Sequence, residues 1–246
     1  FIKKIDLDNI KLTDIEQSSL DLLENWDFSM DKSSSAASIY SMTREKLVEQ
    51  IINLNYGGLA KETIEWKNYG AVSHVRRFLL PLINEHLGDN KSFLLSNKES
   101  WNELIIKSFK SAILILIDNF GDDINKWSWG NLHKTNHQHP LSSVYKQYSE
   151  ILNPKHVPAS GDGDTPFAGS SDKNFNVVAA SVNRYAHDPS NWENSRWIVP
   201  LGSSGNPGSK NYYDQLDLWA EGETIPQIWN WKEITSSCSK QLIKKI

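Results

Sequence analysis

The chain has 246 residues, of which 39% are hydrophobic and 23% charged, so its composition is that of a globular protein and not of a disordered one. Its net charge of −4, with Lys and Arg spread along the chain, gives no reason to expect a nucleic-acid partner. No apolar run approaches the ~18 residues of a membrane-spanning helix. The single cysteine, Cys238, excludes an internal disulfide.

The first part of the chain is predicted to be helical. Thr13 and Glu16 have the spacing of a capping box, which predicts a helix that runs to about Trp26. The apolar stripe of residues 33–55 predicts a second helix. A third is predicted over residues 72–80, and Pro81 should end or kink it.

A fourth helix is the strongest prediction in the sequence. Ser96 and Glu99 have capping-box spacing, and an apolar stripe follows them from Trp101 to Ile117. The helix is expected to end near Gly121, because glycine commonly follows the last helical residue. We therefore expect residues 1–121 to form a mainly helical region.

The second part, residues 122–246, is predicted to consist of loops and strands. Turn-forming residues dominate residues 153–173, and a short helix is expected just before them, at residues 142–152. Strands buried on both faces are predicted at residues 175–185 and 196–201, and an edge strand at residues 239–246.

A distinctive stretch follows the second of these strands. Residues 202–209 hold three Gly, one Pro, one Asn and three Ser, which is typical of a tight loop and not of a plain connection. Tyr212, Leu216 and Trp219 then stand on one face of a short helix, and Gly222 lies where that helix would end. The pattern predicts a strand, a glycine loop and a helix.

The histidines of the central loop allow two interpretations. His133, His137 and His139 are four and two residues apart and could bind zinc. No carboxylate stands beside them as a catalytic base, as it does in H-E-x-x-H. The structural interpretation, which we favour, is that Trp127 and Trp129 pack in a core while His133 and His139 bond to the backbone.

Other polar residues also permit both a functional and a structural interpretation. Asp162 and Asp164 could form half of a calcium loop, but the later Glu of an EF-hand is missing, which favours the alternative of a plain Asx-rich turn. Ser204 could be a nucleophile, although no base stands near it in the sequence. Arg184 and Asp188 could form an ordinary ion pair.

The stretch from Gly202 to Gly222 resembles a motif near the C-terminus of the β chain of the penicillin acylase family. That motif is close to G-Q-S-G-N-P-x-S-x-H-Y-x-D-Q-x-x-x-W-x-x-G. Ser203 replaces its Gln and Asn211 replaces its His. The matching residues are Gly202, Ser204, Gly205, Asn206, Pro207, Ser209, Tyr212, Asp214, Gln215, Trp219 and Gly222.

Earlier residues extend the resemblance. The family has W-x-W-G-x-x-H followed by H-P-L, a G-D-x-x-T segment, and an R…D pair on the next strand. The residues that match these patterns are Trp127, Trp129, Gly130, His133, His139, Pro140, Leu141, Asp162, Thr165, Arg184 and Asp188. A family W-D-G is matched by Trp26 and Asp27 but not by Phe28.

The resemblance implies an α+β fold, with a helical first half followed by strands that belong to an αββα N-terminal-nucleophile hydrolase sandwich. In this family a β-chain N-terminal Ser attacks the amide, and an Asn further along holds the oxyanion. Both precede the matched region, and Phe1 has no nucleophilic side chain. We therefore expect no catalytic residue, metal or cofactor in this chain, and no activity when it is alone.

The resemblance also implies partners. They are the upstream part of the same precursor (the α chain and the first part of the β chain) and, in the whole enzyme, a small-molecule amide substrate. Uncovered strand edges would also permit a homodimer. Two other classes stay open: a non-catalytic binding module that uses some of the ten Trp residues, and a metal-dependent hydrolase that uses His133 and His139.

Overall fold

A computed structural model of the chain describes residues 10–60, 74–95, 99–172 and 174–237. The chain forms two compact units. The first unit consists of Phe1–His137 and Lys155–Ala180, and the second consists of Gln138–Pro154 and Ser181–Ile246. Each unit therefore contains two separate stretches of sequence.

The first unit contains the long helices, which are α1 (Asp14–Glu24), α2 (Ser35–Tyr56), α3 (His74–His86) and α4 (Trp101–Phe120). The predicted capping box of α1 is confirmed, because Glu16 N donates to Thr13 Oγ1 and Thr13 N donates to Glu16 Oε2 at 2.8 Å. The predictions of α2 and of the end of α4 at Gly121 are also confirmed.

The helix predictions need two refinements: one capping box was misplaced, and Pro81 does not end its helix. The capping box of α4 is formed by Ser100 and Glu103, whereas Ser96 lies outside the described residues. Both pairs have the same spacing, so the spacing alone could not choose between them. In addition, α3 continues through Pro81 to His86. Pro81 is flanked by Leu79 and Ile83, both buried in one core cluster, and this burial offsets the ~3 kcal/mol cost of an internal proline.

The core of the first unit lies between its helices, where α2 packs along α4. One cluster joins α2, α3 and the start of α4, and a second joins α1, α2 and the rest of α4. The largest fully buried aliphatic side chains of these clusters are Ile39, Leu47, Ile51, Ile52, Leu104, Ile105, Ile113 and Leu116. Burial of one such side chain stabilises the fold by about 1.5–3 kcal/mol.

Short elements complete the first unit. A 3₁₀ turn (Ile124–Lys126) leads to the one-turn helix α5 (Trp129–Leu132). Strands β1 (Gly169–Ser171) and β2 (Val177–Ala180) form a two-stranded antiparallel sheet, in which Gly169 lies opposite Ala180.

The second unit is built of short elements around a small sheet. The order of its strands is β3-β4-β5, and both pairs are antiparallel. Its strands and helices are β3 (Arg184–Ala186), β4 (Arg196–Ile198), β5 (Ile225–Pro226), α6 (Ser149–Leu152), α7 (Leu216–Ala220) and α8 (Trp231–Ser237), with 3₁₀ turns at Pro140–Ser143, Lys146–Tyr148 and Trp192–Asn194.

The strand predictions need two corrections, and a third strand prediction is not tested. Residues 175–185 do not form one strand, because β2 pairs with β1 while β3 pairs with β4, and Val182 between them is 74% exposed. The strand predicted at residues 196–201 ends at Ile198, and Arg196 on it is exposed. The strand predicted at residues 239–246 lies outside the described residues.

The predicted helix of the glycine stretch begins later than expected. It starts at Leu216, because Gln215 N is still bonded to Leu201 O before the helix. Tyr212, Leu216 and Trp219 are nevertheless all buried, as predicted. Residues 142–152 contain two 3₁₀ turns and α6 in place of the single short helix predicted there.

The described residues thus form a mixed α+β structure, as predicted. None of the helices in these ranges has both the length and the apolar character needed to cross a membrane.

Candidate functional site

Trp129 lies at the centre of a small aromatic cluster in the first unit. This side chain is buried and donates from Nε1 to Gly161 O at 2.8 Å. Its ring stacks on His133, with centroids 4.5 Å apart, and meets the edge of the Phe175 ring at 5.8 Å. Trp127, also fully buried, donates from Nε1 to the carbonyl of Gly121, the C-cap residue of α4. These contacts hold the segment of Trp127 and Trp129 to the end of α4 and to Gly161 and Phe175.

His133 lies fully buried in this cluster. Its Nδ1 is 2.9 Å from Phe175 O and 3.3 Å from Ser171 Oγ. Because a carbonyl oxygen can only accept, Nδ1 carries the proton and donates it to Phe175 O. Burial lowers the pKa of His133 to about 4, so the ring is neutral near pH 7. A nitrogen that already holds a proton cannot take one from Ser171, so this pair is not a nucleophile and its base.

Gly130 stands at a point of close approach between two backbone segments. Its N–H donates to Lys32 O at 2.7 Å. A Cβ at this position would lie 2.8 Å from Pro158 Cβ and 3.0 Å from Lys32 O. A larger residue would therefore push apart the two segments that Gly130 joins.

The turn around Asp162 faces a partly buried arginine of α2, Arg44. Arg44 Nη2 lies 3.3 Å from Asp162 Oδ2, and Arg44 Nη1 lies 3.0 Å from Asp164 Oδ2. Asp162 Oδ1 accepts from Asp164 N, and Thr165 Oγ1 accepts from Asp162 N. The fixed positive charge of Arg44 opposes binding of a cation at the same carboxylates. The geometry is that of an Asx turn closed by an ion pair.

In the second unit the glycine loop folds back on the segment that precedes α7. Ser204 N donates to Asn211 O at 3.0 Å, and Gln215 N donates to Leu201 O at 2.8 Å. A Cβ on Gly202 would lie only 2.2 Å from Asn211 O. Only glycine permits this contact, which explains why the motif begins with that residue.

The polar residues of the loop bond to its own backbone. Ser204 Oγ accepts from Asn206 N at 3.1 Å, and Asn206 Oδ1 accepts from Gly208 N at 2.9 Å. Ser209 Oγ accepts from Asn211 N at 3.2 Å, and Pro207 stands between these turns. Such bonds stabilise turns. No described bond of Ser204 connects it to a base that could activate its hydroxyl.

His139 and Tyr212 hold the helical segment of the second unit. His139 N donates to Asn153 Oδ1 at 2.9 Å, and His139 Nδ1 accepts from Leu141 N at 3.1 Å, which fixes the turn that Pro140 begins. Tyr212 is buried, and its hydroxyl donates to Leu152 O at 2.6 Å. The His139 ring and the Tyr212 hydroxyl therefore both bond to backbone atoms.

Trp219, another residue of the motif, is fully buried and donates from Nε1 to Ser181 O at 3.2 Å. Arg184, the first residue of β3, lies over this ring. Asp214 is exposed, with Oδ1 2.5 Å from the position of a Cβ on Gly202. Asp188 accepts from Ser190 Oγ and Asn194 Nδ2, and these bonds lower its pKa to about 2.

These contacts favour a structural role for the residues singled out in the sequence. Within the described ranges, no three His, Cys, Asp or Glu side chains lie close enough to hold a metal ion. Arg44 and Ser171 were not expected at these sites. Arg44 lies 118 residues before Asp162 in the sequence, and no local pattern connects them.

Comparison with known proteins gives the family of the chain. A model of the family described as "Penicillin amidase" matches residues 3–236. The chain is 28% identical over 231 residues to the penicillin acylase 2 proenzyme of Pseudomonas sp. (strain SE83); this match covers 89% of the chain and 27% of that protein. It is 30% identical over 129 residues to the acyl-homoserine lactone acylase QuiP of Pseudomonas putida, which is 51% of the chain and 15% of that protein.

Among solved structures, a thermostable penicillin G acylase from Alcaligenes faecalis aligns with a TM-score of 0.49 and 16% identity, over 100% of this chain and 45% of that one. The chain spans about a quarter of the length of the proenzyme it matches. The family match extends over nearly all of the sequence. The chain therefore belongs to the penicillin amidase family.

Proposed function

We propose that this chain forms the C-terminal part of a penicillin-acylase-type amidohydrolase that cleaves linear amide bonds. Such an enzyme would release an acyl side chain from an amine or from a lactam or lactone nucleus. The main support is that the family match extends over residues 3–236, whereas the alignment covers only 27% of the proenzyme. The upstream part of the same precursor would supply the rest of the enzyme.

The role of this chain in that enzyme is to support the site and not to perform the attack. Ser171 and Ser204 have no activating contact among the described bonds, because His133 Nδ1 donates to Phe175 O and so cannot take a proton from Ser171, and because the described bond of Ser204 Oγ is to Asn206 N, which is not a base. A serine needs a base that accepts its proton before it can attack an amide. The nucleophile and the oxyanion Asn would therefore come from the upstream part.

The small sheets agree with this role. The described sheets have two and three strands, which are few for a stable, independent sheet. In the complete enzyme these strands would join the αββα sandwich of N-terminal-nucleophile hydrolases. The upstream part would then pair with strand edges that are open in this chain alone.

An amide-hydrolysis assay tests the proposal. Phenylacetyl, long-chain acyl and acyl-homoserine-lactone amides are offered to the isolated chain, and then to the chain co-expressed with the polypeptide encoded upstream in its gene. We expect turnover only after co-expression, because loss of a serine nucleophile alone costs ~10⁶ in turnover in a protease example.

Two variants serve as controls in this assay. Ser204→Ala and Ser171→Ala should leave the activity of the co-expressed enzyme within about threefold of the unmodified enzyme, since neither hydroxyl is activated. Turnover by the isolated chain that disappears in either variant would contradict the proposal.

A further inference from the structure

A group of aromatic side chains lies on the surface of the second unit. Tyr185, His187, Trp192 and Trp229, which we call the aromatic surface, form a continuous series of ring contacts. The ring centroids of Trp192 and Trp229 are 5.0 Å apart. Their exposed fractions are 46% and 45%, and that of Tyr185 is 62%. An exposed group of large aromatic residues commonly marks a binding surface.

The backbone holds this surface in a defined arrangement. Ser195 is fully buried and connects the segments that carry the rings. Its N–H donates to Trp192 O at 3.0 Å, its Oγ accepts from Asp188 N at 3.2 Å, and its carbonyl accepts from Gln227 N at 2.9 Å. The backbone segments that carry these side chains are therefore held together before binding, which lowers the entropic cost of association.

The angles between the rings favour a protein partner over a carbohydrate. The ring planes of Trp192 and Trp229 meet at 53°, and those of His187 with Trp192 and Trp229 at 60° and 83°. Sugars stack on flat ring faces, whereas these tilted rings offer no common plane for successive sugars. A ridged aromatic surface suits the side chains of a protein, where Trp and Tyr are enriched among the residues that dominate binding.

The charges beside the rings indicate the chemistry of the partner. The segments at residues 187–194 and 228–233 carry three carboxylates, Asp188, Glu193 and Glu233, and one cation, Lys232. Hydrogen bonds from Ser190 and Asn194 lower the pKa of Asp188 to about 2, so that it stays ionised near neutral pH. A complementary surface would be apolar at its centre and basic at its rim.

We propose that the aromatic surface binds the upstream polypeptide of the same penicillin-amidase-type precursor, through an apolar patch with a basic rim. This inference rests on the proposed function. The alignment with the proenzyme covers only 27% of that protein, so most of such an enzyme lies outside the region matched by this chain. The unmatched part of such an enzyme is long enough to be a large binding partner. The aromatic surface, whose backbone segments are already held together, would be its binding site.

The test measures the affinity of the purified chain for the polypeptide encoded upstream in its gene, together with amide turnover of the mixture. The double substitution Trp192→Ala/Trp229→Ala should weaken binding at least 100-fold, and a saturating concentration of the variant should restore turnover. Glu193→Lys changes only an exposed charge and should weaken binding about tenfold at low salt, and less at high salt. Tyr148→Ala, at another exposed ring of the second unit, should leave the affinity unchanged.

The outcomes separate this inference from the proposed function. Turnover together with unchanged affinity of the double variant would overturn the inference and leave the proposed function intact. Tight binding that the double variant loses, without turnover in any mixture, would support the inference and contradict the proposed function. Absence of binding, or of any upstream coding sequence, would contradict both.

Two further measurements use the chain alone. Sedimentation of the chain measures self-association, and a panel of oligosaccharides measures sugar binding. If the double variant abolished either of these without changing the affinity for the upstream polypeptide, the aromatic surface would bind a second copy of the chain or a sugar. Either result would overturn the inference. Circular dichroism of the variants checks that each is folded.

Discussion

Arg184 contacts both the ring and the backbone of Trp219. Its guanidinium carbon lies 4.1 Å from the centroid of the indole, and its Nη1 donates to Trp219 O at 2.9 Å. A planar guanidinium can stack through its face while it donates through its edge. Burial lowers the pKa of Arg184 to about 10, which still leaves it charged at neutral pH. This contact connects β3 to α7.

The first prediction concerns Trp219 itself. Trp219→Ala should lower the free energy of unfolding by about 3–5 kcal/mol, because it removes a fully buried indole together with its bond to Ser181 O. Urea denaturation followed by circular dichroism measures the change. Trp231→Ala is the control, since Trp231 is 75% exposed and its loss should change stability by less than about 0.5 kcal/mol. An unchanged midpoint for Trp219→Ala would contradict the placement.

The second prediction separates the charge of Arg184 from its shape. Arg184→Lys keeps the positive charge but loses the planar group that stacks and donates at once. It should destabilise the protein by about 1–2 kcal/mol, in the range of a partly desolvated cation–π contact. The same replacement at Arg196, which is exposed and bonds to Thr224, should have a smaller effect. Equal effects at both positions would argue against the stacking.

The third prediction compares two glycines of the same loop. In Gly202→Ala the new Cβ would meet Asn211 O at 2.2 Å, and this oxygen already accepts from Ser204 N, so the loop must shift. We expect a loss of about 2–3 kcal/mol, as at other overpacked sites. Gly205→Ala meets nothing within 4 Å and should be neutral or slightly stabilising. Similar melting temperatures for the two variants would contradict this account of the loop.

The fourth prediction concerns Phe28, which replaces the glycine of the family's W-D-G pattern. Phe28 has a φ of 64°, in the region that favours glycine, although its ring is 70% exposed and contacts only Trp26 among the described aromatic rings. Phe28→Gly and Phe28→Ala both remove the ring, but only glycine relieves the backbone strain. The Gly variant should be more stable than the Ala variant by about 1 kcal/mol. The reverse order in thermal unfolding would contradict this.

Some of these features could be predicted from sequence because they depend on nearby residues. The capping box of Thr13 and Glu16 and the end of α4 at Gly121 involve residues three or four positions apart. Where the same local pattern occurs twice, as with Ser96 and Ser100, only the structure shows that Ser100 is the N-cap. Sequence spacing could not choose between them.

Other features depend on residues far apart in the sequence. Arg44 meets Asp162 across 118 residues, and the division of residues 175–185 into β2 and β3 depends on their different partner strands. The motif residues of the candidate site were found through the family resemblance, whereas their contacts were not. No periodicity of charge or hydrophobicity reports such contacts.

The last prediction uses the neutral, buried ring of His133. Burial lowers its folded-state pKa to about 4 from the usual 6.5, so between these pH values the unfolded chain binds a proton that the folded chain does not. The stability is therefore full above pH 6.5 and falls as the pH decreases towards 4. At about 1.4 kcal/mol per pH unit, the loss between pH 6.5 and pH 5 should be about 2 kcal/mol. The Asn side chain of His133→Asn can still donate to Phe175 O but cannot titrate. The free energy of unfolding of this variant should therefore lack the decrease between pH 6.5 and pH 5 that His133 causes, even if the variant is less stable at pH 7. Urea denaturation of both proteins at several pH values measures the difference, and parallel pH profiles would contradict the assignment.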